Sequence, residues 1–226
     1  MKKGYIITID GPSGAGKSTV SKKLAEKLGY LYLDTGAMYR ACALKAFKMG
    51  LDPSREEDAQ KVASALELKL IPAGAQIRIF LDGEDVTDKI RTEEVGMGAS
   101  KISRHRVIRQ KLWEIQRKLG EQGGVVAEGR DMGTVVFPDA DYKFFLTASL
   151  EERAKRRYLE LLQRGEKVEL EQIKKEVEKR DAQDSQRDLA PLKPAPDAIQ
   201  IDTTNLNIDQ VVALLLEKIN QGAVSQ

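Results

Sequence analysis

The sequence predicts an α/β protein, a five-stranded parallel sheet wound by helices, with a small antiparallel insertion. Three observations carry that prediction. Residues Gly11-Pro12-Ser13-Gly14-Ala15-Gly16-Lys17-Ser18 spell G-x-x-x-x-G-K-[ST] between a strand-like run and a helical pattern. Five short apolar runs, at 5–9, 30–33, 125–127, 143–146 and 198–201, are uninterrupted rather than alternating, as in strands covered on both faces. Residues 68–86 alone turn to period two.

Taken in order, Tyr5-Ile6-Ile7-Thr8-Ile9 leads into the glycine loop, and Val20, Leu24 and Leu28 follow at helical spacing. Ser54-Arg55-Glu56-Glu57 has capping-box form and predicts a helix starting at Ser54. Leu68 and Leu70, then Ile77, Ile79 and Leu81, alternate with polar neighbours, with Pro72-Ala73-Gly74 and Asp82-Gly83 as turns. Helical stretches follow at 92–102 and 105–119, the second apolar at Ile108, Leu112, Ile115 and Leu119. A second capping box, Ser149-Leu150-Glu151-Glu152, opens another helix. Residues 191–196 read as a stiff proline-rich connector, 208–219 as the last helix, and 221–226 as a frayed tail. The expected division is a core of 1–66 and 101–226 with an insertion at 67–100.

A chain of 226 residues suffices for one core carrying such an insertion. Hydrophobic residues at 41% and charged residues at 32% are ordinary for a soluble globular protein. The balance of 37 basic against 35 acidic side chains argues against a dedicated nucleic-acid surface. Cys42 is the single cysteine, so no intrachain disulfide forms, and its apolar helical neighbours Ala41, Ala43 and Leu44 suggest a buried thiol. The apolar run after the N-terminal lysines is too short for a signal peptide, and no stretch reaches transmembrane length. The expectation is a cytoplasmic protein with no membrane or nucleic-acid partner, and a monomer, since no coiled-coil pattern is present.

The glycine loop predicts triphosphate binding. Its backbone N–H groups face phosphate oxygens at a helix N-terminus, Lys17 reaches the terminal phosphates, and the Ser18 hydroxyl meets Mg²⁺. A kinase also needs an acceptor site with cations for the transferring group. Asp34-Thr35-Gly36-Ala37-Met38-Tyr39-Arg40 follows the second run at the sheet edge where α/β proteins bind ligands. A helix start capped by Asp34 or Thr35, with Arg40 solvated, reads the same residues equally well. Glu128-Gly129-Arg130-Asp131 ends the third run; it faces a ligand or closes a local salt bridge. Arg180, Asp184 and Arg187 at i, i+4 and i+7 share one helix face and suit a sugar and a phosphate, or an ion-paired surface. Arg153, Arg156, Arg157 and Arg164 around Gly165 suit a lid, about 153–168, that excludes water. No N-K-x-D sequence reads guanine, and His105, between Arg104 and Arg106, looks solvated. With one histidine and one cysteine, the metal expected is Mg²⁺ shared with phosphates. Three readings stay open at this point: a nucleotide kinase, a kinase for another small acceptor, and a regulatory ATPase.

These segments, together with Ile90-Arg91-Thr92, Gly129-Arg130-Asp131-Met132-Gly133-Thr134-Val135-Val136-Phe137-Pro138 and Ala190-Pro191-Leu192, resemble the bacterial cytidylate kinases over nearly the whole chain. The resemblance implies a P-loop kinase that moves the γ-phosphate of ATP to CMP or dCMP, with a core, a monophosphate-binding insertion and a mobile lid. It implies that the loop from Gly11 to Ser18, with Thr19, Arg153, Arg156 and Arg157, holds ATP. By the same resemblance Arg40, Arg130 and Arg187 hold the acceptor phosphate, Ser100, Arg109 and Asp131 read cytosine, and Arg180 and Asp184 hold the sugar. Thr35 and Tyr39 line that pocket, and Lys17, Arg130, Arg157 and Arg187 serve the transfer itself.

Overall fold

The computed structural model describes residues 4–224. Ile6–Asp10 forms β1 at the centre of a parallel sheet, flanked by β6 (Val125–Gly129) and β7 (Tyr142–Thr147), with β2 (Leu31–Asp34) and β8 (Ile199–Asp202) at the edges. The apolar runs are uninterrupted because helices cover both faces. Val126 joins Ile7, Ile9 and Leu146 under α1 (Lys17–Leu28) and α8 (Ile208–Val224). Val125 and Ala127 point the other way, into a cluster with α2 (Thr35–Lys48), α3 (Glu56–Ala65), α4 (Glu93–Ile102) and α5 (Arg106–Gly120).

The period-two stretch forms β3 (Leu68–Ala73), β4 (Gln76–Leu81) and β5 (Glu84–Asp85), an antiparallel sheet in that order. Asp82 at φ 51° and Gly83 at φ 81° make the two-residue turn between β4 and β5, the conformation that twisted hairpins prefer. Pro72, expected in a turn, instead lies inside β3 opposite Ile77. β3 is an edge strand, so the missing N–H costs no internal ladder bond, and the turn passes to Gly74 and Ala75. Ile79, Leu81, Val86, Ile90, Val95 and Ala99 bury against α2, so residues 67–100 share its hydrophobic cluster.

Helix ends follow local chemistry. Asp34 caps α2 by accepting from Ala37 N at 2.9 Å, Thr92 caps α4 and Ser149 caps α6 (Leu150–Gln163). Ser54 does not cap α3. Its N–H and hydroxyl both donate to Asp52, so the helix starts after Arg55. His105 is a second correction, being buried rather than solvated. Its Nδ1 lies 2.5 Å from Glu56 Oε2 and its Nε2 lies 3.1 Å from Pro53 O, which ties α5 to the start of α3. Cys42 is buried as expected, and burial pushes its thiol up to about 12. α8 continues to Val224, past the point where fraying was expected, and residues 225–226 lie outside the described residues. Leu161 of α6 packs on Ile173 and Val177 of α7 (Leu170–Ser185), closing a small cluster of their own.

Candidate active site

Strand β1 ends at the glycine loop, and the loop's first residue explains its tightness. Gly11 has φ +146°, and a Cβ there would lie 2.1 Å from Leu146 O, a backbone atom of the neighbouring strand that cannot retreat. Gly11→Ala is therefore expected to displace the loop and destabilise the fold by about 2–4 kcal/mol, read as a lowered denaturation midpoint together with weakened ATP binding. Beyond Gly11 the loop opens onto a cavity of about 900 Å³ bordered by α1, the ends of β2 and β6, α4, α5 and the facing sides of α6 and α7.

On the loop side, Ser13, Gly14, Gly16, Lys17, Ser18 and Thr19 line the cavity. Lys17 is buried and donates to Pro12 O at 2.7 Å. Burial, then the neighbouring Arg130 and Arg180, lower its ammonium to about 7. Ser18 Oγ donates to Glu128 Oε1 at 2.8 Å, and Tyr32 OH donates to the same oxygen at 2.9 Å. Glu128 Oε2 is buried without a hydrogen-bond partner, and burial followed by the charge of Asp34 raises this carboxyl.

The arginines of α6 divide. Arg153 turns away from the cavity to brace the loop, reaching Ser13 O at 3.1 Å and Asp181 at 2.5 Å. Arg156 lines the cavity and grips Thr203 O at 2.6 Å, while Arg157 and Arg164 also line it, close enough to act on Arg40, and both pair with Glu160.

On the opposite side two acid–arginine groups meet. Asp131 and Arg109 are each 2% exposed; Arg109 Nη1 donates to Asp131 Oδ2 at 2.9 Å and its Nε to Ser103 O at 2.7 Å. Tyr39 stacks under the same guanidinium, 5.4 Å from ring centre to Arg109 Cζ, and burial holds its phenol far above the ordinary value. Ser100 lines the cavity beside them. Arg130 Nε donates to Asp184 Oδ2 at 2.9 Å, and Arg187 Nη1 lies 3.5 Å from Asp184 Oδ1. Burial alone would raise Asp184, but Arg130, Arg187 and Arg180 together hold it below the usual carboxylate value. Arg180 is lowered to about 10 by burial and by Arg130, and its Nε has no partner. Arg187 does not share the helix face of Arg180 and Asp184, because α7 ends at Ser185; it returns to Asp184 from the following loop, tied to Ala190 O at 3.1 Å. Thr35 donates to Glu128 O at 2.7 Å, and Arg40 spans to Ile90 O and Thr92 O at 3.0 and 2.9 Å, joining α2 to the end of the insertion.

Three residues at the site were not selected from sequence, Tyr32, Trp113 and Asp10, and Glu128 was selected without its link to Ser18. Asp10 ends β1 and accepts from Met132 N at 2.9 Å and Gly133 N at 2.8 Å, fastening the turn that carries Arg130 and Asp131; burial pushes its carboxyl up to about 6. An acid closing a largely apolar strand was the available signal.

A family model described as cytidylate kinase matches residues 7–221. The chain belongs to the cytidylate kinase family. A cytidylate kinase from Citrifermentans bemidjiense is 51% identical over 225 residues, covering 98% of this chain and 97% of that one. One from Pseudomonas syringae pv. tomato is 51% identical over 219 residues, covering 96% of each. A crystal structure of an uncharacterized protein from Eubacterium ventriosum shares the fold with a TM-score of 0.51 at 17% identity, covering 97% of this chain and 99% of that chain. Within the cytidylate kinases this chain is an ATP-dependent nucleoside-monophosphate kinase, a transferase.

Proposed function

We propose that the cavity is a two-nucleotide site in which ATP lies on the Lys17 side and CMP or dCMP on the side of Asp131 and Asp184. The reaction transfers the γ-phosphate of ATP to the acceptor monophosphate, giving ADP and CDP or dCDP. One observation carries the assignment of sides: Lys17 and two separate arginine–carboxylate groups border a single cavity. A regulatory ATPase has no need of that second cationic cradle.

In this reading Lys17, Arg156 and Arg157 neutralise the triphosphate, while Arg40, Arg130 and Arg187 grip the acceptor phosphate as bidentate forks. Asp184 orients the last two and, with Arg180, meets the sugar hydroxyls. Asp131, Arg109 and Ser100 meet the cytosine edge. An ionised monophosphate oxygen is already a competent nucleophile, so the site needs position and positive charge rather than a strong base. The only histidine is consistent with this, being tied to Glu56 between two helices. The hydroxyl of Ser18 and the buried, unpartnered Glu128 Oε2 form an all-oxygen donor set of the kind Mg²⁺ prefers. The ion would be held there with the ATP phosphates, and when bound it supplies charge neutralisation between them. Residues 67–100 act as the acceptor-binding insertion and 153–168 as a lid that closes over ATP, and the enzyme works as a cytoplasmic monomer on small substrates.

An ADP-release assay with CMP, dCMP, UMP and AMP tests the reading. Turnover with CMP and dCMP well above the other two is expected; a strong preference for AMP or UMP overturns the cytidine assignment and spares the kinase class. Asp131→Ala is expected to lower the CMP-over-UMP preference by about tenfold or more, because uracil sets its own acceptor oxygen against the carboxylate that cytosine satisfies. An unchanged preference in that variant removes Asp131 from base reading.

A further inference from the structure

Asp131 is held from one side only. Arg109 and Trp113 stand one turn apart on α5, both buried, and both donate to the same carboxylate oxygen: Arg109 Nη1 to Oδ2 at 2.9 Å and Trp113 Nε1 to Oδ2 at 3.1 Å. No hydrogen bond from a described residue engages Oδ1, which is left to face the cavity. The two donors differ in what else they can do. A guanidinium has five N–H groups, and Arg109 already shares its own among Ser103 O, Tyr39 OH and Asp131. An indole has one donor and no acceptor, and the Trp113 ring is packed into the hydrophobic cluster with Leu112 and Met38. When a base draws on Arg109, the indole N–H is the contact on Asp131 that stays.

We infer that Trp113 is a positioning residue for base selection, clamping Oδ2 of Asp131 so that Oδ1 alone is offered as an acceptor to the exocyclic amino group of a cytosine. The inference rests on the assignment of Asp131 to base reading. A carboxylate free to turn about its Cβ–Cγ bond swings its lone pairs away from a uracil oxygen and lessens the repulsion. A clamped one cannot, so the unpaired acceptors of the wrong base keep their full cost.

Trp113→Phe keeps the ring and removes the donor. The KM for CMP is expected to rise about tenfold and the CMP-over-UMP preference to fall by a similar factor, with the KM for ATP unchanged. A purely structural role would instead lower the denaturation midpoint and leave the CMP-over-UMP ratio at its wild-type value; that outcome overturns the inference. A wild-type enzyme that does not distinguish CMP from UMP overturns the assignment of Asp131 and Trp113 together. A discriminating wild type with an equally discriminating Trp113→Phe overturns Trp113 alone. Because Trp113 is the only tryptophan, the wild-type protein supplies a second reading should the variant not fold. Saturating CMP is expected to change its fluorescence and ATP alone to leave it near baseline. Emission that ignores CMP removes Trp113 from the base site.

Discussion

Lys17→Met is expected to lower kcat about a thousandfold while raising the stability of the nucleotide-free protein at neutral pH. On the proposed placement of ATP, the activity loss follows from removing the ammonium that the loop presents to the terminal phosphates, and the ADP-release assay reads it directly. The gain in stability follows from burial. Lys17 is pushed from its ordinary 10.5 down to about 7, so the folded state is reluctant to hold its charge. Between these values the unfolded chain binds more protons than the folded one, and stability therefore rises with pH across that window. Below about 7 both states are protonated and the full penalty of the buried charge is present. Methionine keeps the stem and removes the charge, so denaturation midpoints at pH 7 and pH 9.5 should converge in the variant more than in the wild type. Triphosphate binding supplies the missing counter-charge, so calorimetry in buffers of different ionisation enthalpy is expected to find proton uptake when ATP binds at pH 8. No uptake, with midpoints that move in parallel, removes Lys17 from this role.

Arg109→Met carries the largest expected loss of stability, about 3–5 kcal/mol, because it leaves the Asp131 carboxylate buried without its cation. The partner change separates charge from shape. In Arg109→Met with Asp131→Asn no buried charge remains, Trp113 keeps an acceptor, and most of the stability should return. On the proposed assignment of Arg109 and Asp131 to base reading, CMP binding should not return. Urea denaturation of the two single variants and the double variant, with CMP titration of each, reads both quantities. A double variant as unstable as Arg109→Met removes the ion pair as the cause.

The parallel core was legible because burial on both faces writes itself as unbroken apolar runs, and Asp34 and Ser149 mark helix starts within three residues of the N–H groups they cap. What is written locally was read locally. His105 shows the limit: its sequence neighbours are arginines, but the partners that bury it, Glu56 and Pro53, stand 49 and 52 residues away. Glu128 was read as part of a ligand-facing segment but its partner was out of reach for the same reason, since its link to Ser18 crosses 110 residues and exists only because β6 lies beside β1. Arg187 was placed at the right acid for an incomplete reason. The helical spacing that groups it with Asp184 stops at Ser185, and a turn in the following loop brings the side chain back. Ser54 was misread because Asp52 competes for the same hydroxyl at shorter range than the helix does.

The pairing of β1 with β6 has one more implication. Asp10 faces Gly129 across that pair, so the donor loop and the Arg130–Asp131 segment leave the sheet from matched rungs of one ladder. Rungs are counted in whole residues; a slip by one would turn every side chain of the strand to the opposite face. The offset between the backbone of the glycine loop and that of the Arg130–Asp131 segment is thus set in steps, like the teeth of a ratchet. Side-chain substitutions in β1 or β6 that leave the pairing intact leave that offset where it is, whatever they do to the groups the two segments carry.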